Sequence, residues 1–245
     1  SWGRLWGRVQ GWTRAMAAAR LGPPATRIAR ASRSGNLGEA LRIFQEVPAT
    51  DNTYSAAIAA CTRASQWKQG LTLFDEFLQQ GRNPRATAVV NAALGAAAAG
   101  GEWQSALSLL RRVPAPDNAT FTLAMSACAL AGRWRAGLGV LTDMVAASLP
   151  PDLPAALVAI RLRGAAGDAA GAVGVLGQLA DIATGDPPPV EAYNACLVAC
   201  GQARALDAVG QLLAEMERRK VAMTRRSFGA ALSALSREAR AWPLA

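Results

Sequence analysis

The chain has 245 residues and a formal net charge of +9; 51% of its residues are hydrophobic, but only 6% are aromatic and 18% charged. It contains no histidine, which excludes histidine acid–base catalysis, Ser-His-Asp and Cys-His nucleophile systems and imidazole-based zinc or iron sites. Four cysteines do not make a disulfide scaffold, and no uncharged run reaches the roughly 20 apolar residues of a transmembrane helix, so no integral membrane span is expected.

Residues 1–20 form a basic amphipathic segment. One helical face collects apolar side chains, namely Trp2, Leu5, Trp6, Val9, Trp12 and Met16. Its basic residues are Arg4, Arg8, Arg14 and Arg20, and no acidic residue precedes Glu39. Such a segment is typical of a mitochondrial targeting helix, and equally of a basic arm that binds RNA, a membrane surface or a partner groove. Both interpretations stay open.

Residues 21–245 repeat one pattern. In segments 52–61, 119–128 and 191–200, an aromatic residue is followed by an apolar residue four positions on and by a cysteine seven positions on. One landmark position follows six residues after that cysteine. Across the chain its occupants are spaced by 30, 36, 31, 35 and 37 residues and are Leu37, Trp67, Trp103, Trp134, Ala169 and Leu206. Self-similarity at this period is typical of a solenoid of helical repeats.

Each repeat is predicted to be a helical hairpin. Its first half has helical spacing at Tyr54, Ala57, Ile58 and Cys61, and its second half at Trp67, Leu71, Phe74 and Leu78. A single hairpin cannot bury both apolar stripes, whereas a stack of hairpins does. The sequence therefore predicts an all-α, right-handed α-solenoid of about six repeats, followed by a terminal half-repeat from Arg225.

These repeats resemble the pentatricopeptide repeat family. The resemblance rests on the segments 54–61 and 66–74 and on the closing Gly81-x-x-Pro84; repeats 118–152 and 190–224 also have the family length of 35 residues. Tryptophan opens the second helix here, whereas tetratricopeptide repeats carry it early in the first. The resemblance implies a non-enzymatic protein without cofactor that binds single-stranded RNA in a mitochondrion or chloroplast, as an adaptor in RNA processing, stability or translation.

The resemblance also implies RNA-binding residues, because in the family the fifth and last residues of a repeat face one base. The resemblance associates the pair Asn91 and Asp117 with uracil. It associates the pair Thr122 and Asp152 with guanine. Asn194 with Thr224 is a weaker pair, and Ser55 with Arg85 matches no familiar combination. Leu157 cannot hydrogen-bond a base, and Gly229 has no side chain to contact one. Basic residues near the end of a first helix, which contact phosphates in the family, are Arg33, Arg63 and Arg237.

The remaining candidates have simpler interpretations. Cys61, Cys128 and Cys200 share one repeat position and are expected in the core, as are the three landmark tryptophans. Neither a His-x-Glu with Cys-x-x-Cys deaminase signature nor a phosphate-binding Gly-Lys loop occurs.

A second function stays open besides that of an RNA-binding adaptor. The chain is also compatible with a structural scaffold subunit of a large organellar assembly, such as a mitochondrial or plastid ribosome. In that assembly the arm would contact ribosomal RNA, and the repeats would contact other protein subunits.

Overall fold

The computed structural model describes residues 22–82, 87–182 and 187–239. All regular structure in these ranges is helical, so the predicted all-α fold, a helical-repeat solenoid, is confirmed. The helices are α1 (Pro24–Arg33), α2 (Leu37–Glu46), α3 (Asp51–Arg63), α4 (Trp67–Gln79), α5 (Thr87–Gly100), α6 (Trp103–Arg112), α7 (Asn118–Leu130), α8 (Trp134–Ala146), α9 (Leu153–Ala165), α10 (Ala169–Ile182), α11 (Val190–Gln202), α12 (Leu206–Arg218) and α13 (Arg225–Ala239). Odd-numbered helices are the first helices of repeats, and even-numbered helices the second. None of the helices described is long and apolar enough to cross a membrane.

The helices fall into two compact units. One comprises residues up to Gly100 together with Arg111–Pro114, and the other comprises Gly101–Leu110 together with the chain from Ala115 onward. Inside each unit the contacts follow one rule. A first helix contacts its own second helix and the next first helix, and the second helix also contacts the next first helix. This rule buries both apolar stripes of a hairpin.

In the first unit the core is built from large side chains. The Tyr54 ring of α3 lies edge-on between Phe44 of α2 and Phe77 of α4, with ring centroids 5.0 and 5.2 Å apart. Tyr54 and Phe77 are buried, and the Tyr54 hydroxyl accepts a hydrogen bond from Gln80 Nε2 at 2.7 Å. The aromatic position of the repeat therefore joins three successive helices.

In the second unit the first helices approach each other through small residues. A Cβ atom at Gly164 of α9 would lie 2.7 Å from Cα of Ala199 on α11, and one at Gly201 would lie 2.8 Å from Cβ of Ala234 on α13. These distances are shorter than carbon atoms tolerate, so only glycine fits at the two crossings. The high alanine and glycine content of the chain thus has a structural use.

The turn inside each hairpin repeats the same backbone conformation. The residue two positions before every second helix has a positive φ, between 57° and 79°, and is Gly35, Ser65, Gly101, Gly132, Gly167 or Arg204. Left-handed backbone favours glycine, which four of the six turns use. The turn conformation is therefore the same although the sequences differ; three residues separate the helices in five hairpins and two separate α5 from α6.

Several first helices also begin with the same kind of capping interaction. Thr50 caps α3 and bonds reciprocally with Thr53, Asp117 does the same with Thr120 before α7, and Thr224 pairs with Ser227 before α13. Such boxes satisfy backbone N–H groups that have no partner inside the helix. The last residue of one repeat thereby starts the next.

The landmark tryptophans correct one expectation. Trp67, Trp103 and Trp134 are half-buried rather than core residues. They open second helices, so one part of the ring contacts protein and the rest meets solvent; the Trp67 ring covers Gly100, whose Cβ would lie 2.5 Å away. A cation lies near each ring, with Lys68 Nζ 5.3 Å, Arg133 Cζ 5.6 Å and Arg135 Cζ 4.8 Å from the respective centroids.

The cysteines lie in the core, as predicted. All four thiols are buried on first helices and none is in a disulfide. Burial raises the pKa of Cys61, Cys128 and Cys200, and it raises the pKa of Cys196 to about 12, with smaller contributions from Cys200 and Glu215. Among the described residues, no group of three or more side chains is arranged to hold a metal ion.

Replacing Gly164 by alanine should lower the free energy of unfolding by about 1–3 kcal/mol, because the added methyl group overpacks the α9–α11 crossing. Gly174 is the matched control, since it lies inside α10 with open space at its Cβ position. Gly174→Ala should raise stability by about 0.5–1 kcal/mol through helix propensity. Urea unfolding of both variants measures the difference, and equal effects would contradict the close crossing.

Alkaline pH should weaken the fold through Cys196. The pKa of an unfolded thiol is about 8.5, whereas burial raises the pKa of the folded Cys196 thiol to about 12. Its contribution is therefore complete below the unfolded pKa and is lost as the pH rises between the two values. Between about pH 8 and pH 10.5 the urea midpoint of the wild type should fall more steeply than that of Cys196→Ala. Parallel decreases would show that the thiol does not contribute.

Candidate nucleic-acid interface

The fifth residues of the repeats lie at equivalent places on successive first helices. All of them lie close to the helix N-terminus and are at least partly exposed; they are Ser55, Asn91, Thr122, Leu157, Asn194 and Gly229. This placement follows from the constant distance between the N-cap and the fifth residue. The side chains that the sequence singled out are therefore presented as a series within each unit.

In the second unit three of these positions line one groove. Leu157 of α9, Asn194 of α11 and Gly229 of α13 border an open groove of about 630 Å³. Arg161 and Arg226 also line it. Sequence reasoning missed both arginines. Arg226 is the second residue of its repeat, so counting from the start of the repeat could have placed it near the fifth residue. The repeat pattern gives no such indication for Arg161.

The pair Asn194 and Thr224 is in direct contact. Asn194 Nδ2 donates a hydrogen bond to Thr224 Oγ1 at 3.4 Å, and the buried Ser227 hydroxyl donates to Asn194 Oδ1 at 2.7 Å. The structure thus brings the fifth and the last residue of this repeat into contact. A side-chain amide has two N–H donors and two acceptor lone pairs, so these two bonds orient it and leave capacity for the edge of a base.

Other last residues mainly hold helix ends. The Asp117 carboxylate accepts hydrogen bonds from Thr120 N at 2.7 Å and from Thr120 Oγ1 at 2.6 Å, and Asp152 accepts one from Ala155 N at 3.0 Å. The Thr122 hydroxyl donates to the Asn118 carbonyl at 2.6 Å, which leaves its oxygen as an acceptor. The carboxylates of Asp117 and Asp152 are therefore first of all N-caps of α7 and α9.

In the first unit the groove is basic. An open groove of about 710 Å³ between α1 and α3 is lined by Ser55, Asn52, Arg33 and Arg63. The two arginines are the last residues of α1 and α3, where the sequence placed them, and both are exposed. Two guanidinium groups on successive first helices are suited to successive phosphates of one strand.

Several predicted site residues lie outside the described residues. These are the four arginines of the N-terminal segment, Arg4, Arg8, Arg14 and Arg20, and the last residue of one repeat, Arg85. The side chain of Arg237 is likewise not described. Asn91 is described as half-buried on α5.

Comparison with known proteins supports this repeat assignment. Three stretches, residues 52–82, 119–149 and 191–221, match the sequence model of the PPR repeat. They begin at the second residues of α3, α7 and α11, and each spans one hairpin. No curated protein matches the chain significantly.

Solved structures support the fold. The crystal structure of the pentatricopeptide repeat protein PPR10 from maize aligns over 88% of this chain and 32% of that one, with a TM-score of 0.69 and 20% identity. The chain thus spans about a third of the length of that protein. PPR10 in complex with an 18-nt psaJ RNA element aligns over 84% of this chain and 40% of that one, with a TM-score of 0.38 and 14% identity. Three hairpins of this chain are therefore PPR repeats by sequence, and its fold agrees with that of a solved pentatricopeptide repeat protein.

Proposed function

We propose that the protein binds single-stranded RNA through the exposed side of its first helices, without catalysing a reaction. The observation that carries this proposal is the groove of the second unit, where the fifth residues of three successive repeats lie side by side. The three PPR repeats support the same conclusion. PPR10 provides a precedent, since it has been crystallised with an RNA element. We further propose an organellar location, in a mitochondrion or chloroplast, and a role as an adaptor in RNA processing, stability or translation.

The groove of the second unit is suited to an RNA strand that is recognised at one base and bound elsewhere through its phosphates. Asn194 carries the hydrogen-bonding groups, whereas Leu157 offers only apolar contact and Gly229 has no side chain. Arg161 and Arg226 add positive charge along the groove, where phosphates would pass. Selectivity in this groove should therefore centre on the base opposite Asn194.

The groove of the first unit supplies affinity rather than selectivity. Arg33 and Arg63 flank the only polar fifth residue in that groove, Ser55, whose hydroxyl donates to the Asn52 carbonyl at 3.1 Å. Phosphate contacts position a strand but carry no sequence information, whereas contacts to base edges do. The groove of the first unit is thus suited to binding phosphates, and the groove of the second unit to recognising a base.

Base selection should depend on repeats 87–117 and 118–152. If the family pairing holds, the protein should prefer RNA with adjacent uracil and guanine, and the joint replacement Asn91→Ala with Thr122→Ala should weaken that complex by a few kcal/mol. An RNA with both bases exchanged should be little affected. Thr142→Ala is the control, because Thr142 is an exposed threonine on the second helix α8. Fluorescence anisotropy measures the affinities, and equal losses on both RNAs would reject base reading at these positions.

Salt dependence should locate the phosphate contacts. Replacing Arg33 and Arg63 by glutamine should lower the slope of log affinity against log salt by about 1.4, at about 0.7 per single-strand phosphate. Replacing the four arginines of residues 1–20 should lower it by up to about 2.8 on the same basis. Arg42→Gln is the control, because Arg42 is exposed on α2 and forms an ion pair with Glu39 at 3.1 Å.

The outcome separates the two functions that the sequence left open. A slope that responds to the groove arginines supports RNA binding by the repeats. A slope that responds only to residues 1–20, with no effect of the grooves, would contradict the proposal and favour a scaffold anchored through its basic arm.

A further inference from the structure

Ser227 is a buried polar residue whose hydroxyl reaches the candidate interface. It is the third residue of its repeat, lies in the first turn of α13 and is 0% exposed. Its hydroxyl donates a hydrogen bond to Asn194 Oδ1 at 2.7 Å and accepts one from Thr224 N at 3.0 Å. Capping of α13 requires only the bond from Thr224 N. The bond to Asn194 is therefore additional to the capping interaction.

Asn194, Thr224 and Ser227 form a closed hydrogen-bond ring. Ser227 has one hydroxyl hydrogen, which it donates to Asn194, so Thr224 is the donor in the 3.1 Å contact between the two hydroxyl oxygens. Asn194 Nδ2 in turn donates to Thr224 Oγ1 at 3.4 Å. Each side chain thus donates to the next in one direction, and hydrogen bonds in such a chain strengthen one another.

The hydrogen-bond ring fixes the orientation of the Asn194 amide. Both hydroxyl hydrogens are used inside the ring, so the groups left for a ligand are one N–H of Asn194 Nδ2 and one lone pair of Asn194 Oδ1. An amide turned by 180° would present this donor and acceptor in the opposite order. On its pairing edge guanine has a carbonyl acceptor beside an N–H donor, whereas adenine and cytosine have an amino donor beside an acceptor nitrogen. A fixed order therefore discriminates between these bases, and an amide that turns freely does not.

The sequence pairs this hydroxyl with a side-chain amide. Two of the fifth residues are asparagines, and the third residue of the next repeat carries a hydroxyl in both cases: Asn91 is followed by Thr120 and Asn194 by Ser227. After fifth residues without an amide the third residue is aliphatic; these pairs are Ser55 with Val89, Thr122 with Ala155 and Leu157 with Ala192. In these five pairs the hydroxyl thus occurs together with the amide.

We propose that Ser227 is a positioning residue for base recognition by Asn194, a role that rests on the RNA binding proposed above. Its hydroxyl holds the amide in one orientation, so that one donor and one acceptor face the base in a fixed order. Ser227 itself does not contact RNA, because it is fully buried. Arg161 and Arg226 line the same groove and contact phosphates independently of the amide. Loss of the Ser227 hydroxyl therefore lowers base discrimination more than affinity.

Selection from random-sequence single-stranded RNA tests this role. Full-length wild type, Asn194→Ala and Ser227→Ala are each mixed with the same RNA pool, and the bound RNA is sequenced. The position whose base preference disappears in Asn194→Ala is the one that Asn194 recognises. There a bidentate contact should discriminate roughly tenfold between the best and the worst base, and Ser227→Ala should reduce this ratio to about twofold. The affinity of Ser227→Ala for the whole pool should change by less than about threefold.

Two variants control for the structural part of the role. Ser227→Thr retains the hydroxyl and should retain the wild-type preference; threonine is buried at the same repeat position as Thr53 and Thr120. Thr53→Ala is the matched control for capping, because the Thr53 hydroxyl accepts from Thr50 N at 2.8 Å but donates to the Thr50 carbonyl at 2.9 Å instead of to an amide. Thr53→Ala should leave all base preferences unchanged.

The variant Ser227→Ala should fold. Alanine is buried at the equivalent position of α9 and α11, as Ala155 and Ala192. Circular dichroism checks that its helix content equals that of the wild type.

Nuclear magnetic resonance of the RNA-free protein tests the hydrogen-bond ring by itself. The side-chain NH₂ signals of Asn194 are those that disappear from the spectrum in Asn194→Ala. One of the two hydrogens is bonded to Thr224, so its exchange with water should be several-fold slower in the wild type and in Ser227→Thr than in Ser227→Ala. Equal exchange in all three proteins would overturn the positioning role.

The outcomes separate this role from RNA binding itself. A wild type that binds no RNA, or an Asn194→Ala variant with unchanged preferences, contradicts the function proposed for the groove, and recognition assisted by Ser227 fails with it. If Asn194→Ala loses a preference that Ser227→Ala keeps, or if Ser227→Ala weakens all RNAs equally, the role of Ser227 alone is overturned. Loss of that preference in Ser227→Ala, with recovery in Ser227→Thr, supports it.

Discussion

The structure depends on how closely successive helices approach each other. Gly164 against Ala199 and Gly201 against Ala234 leave no room for a Cβ atom, and Gly70 and Gly137 bring second helices onto the next first helix. Van der Waals attraction is short-ranged, so a stack of short helices is stable only when the helices are in close contact. The alanine and glycine content that makes the composition unusual is a consequence of this requirement.

The same stacking places the residues of the candidate interface. The last residue of one repeat caps the next first helix, and its distance from the fifth residue is set by the crossing of two first helices. Thr224 illustrates both roles, since it bonds with Ser227 at the start of α13 and with Asn194 on α11. A contact that orders the helix end therefore also orients the amide that faces the groove.

The sequence alone determined the repeat length, the order of helices, the buried cysteines and the positions of the fifth residues. These features follow from local periodicity and from a constant count from the N-cap, both of which are visible in one chain. Only the tertiary structure decided the rest. Trp67, Trp103 and Trp134 have the periodicity of core residues, yet their rings are half-buried because each lies at the first turn of a second helix. Arg161 lines a groove, and Asn194 is held by Ser227, because residues far apart in sequence are brought within a few ångströms by helix crossings. Helical periodicity predicts the helix face on which a residue lies. The distance to the neighbouring helix determines whether that face contacts protein or solvent.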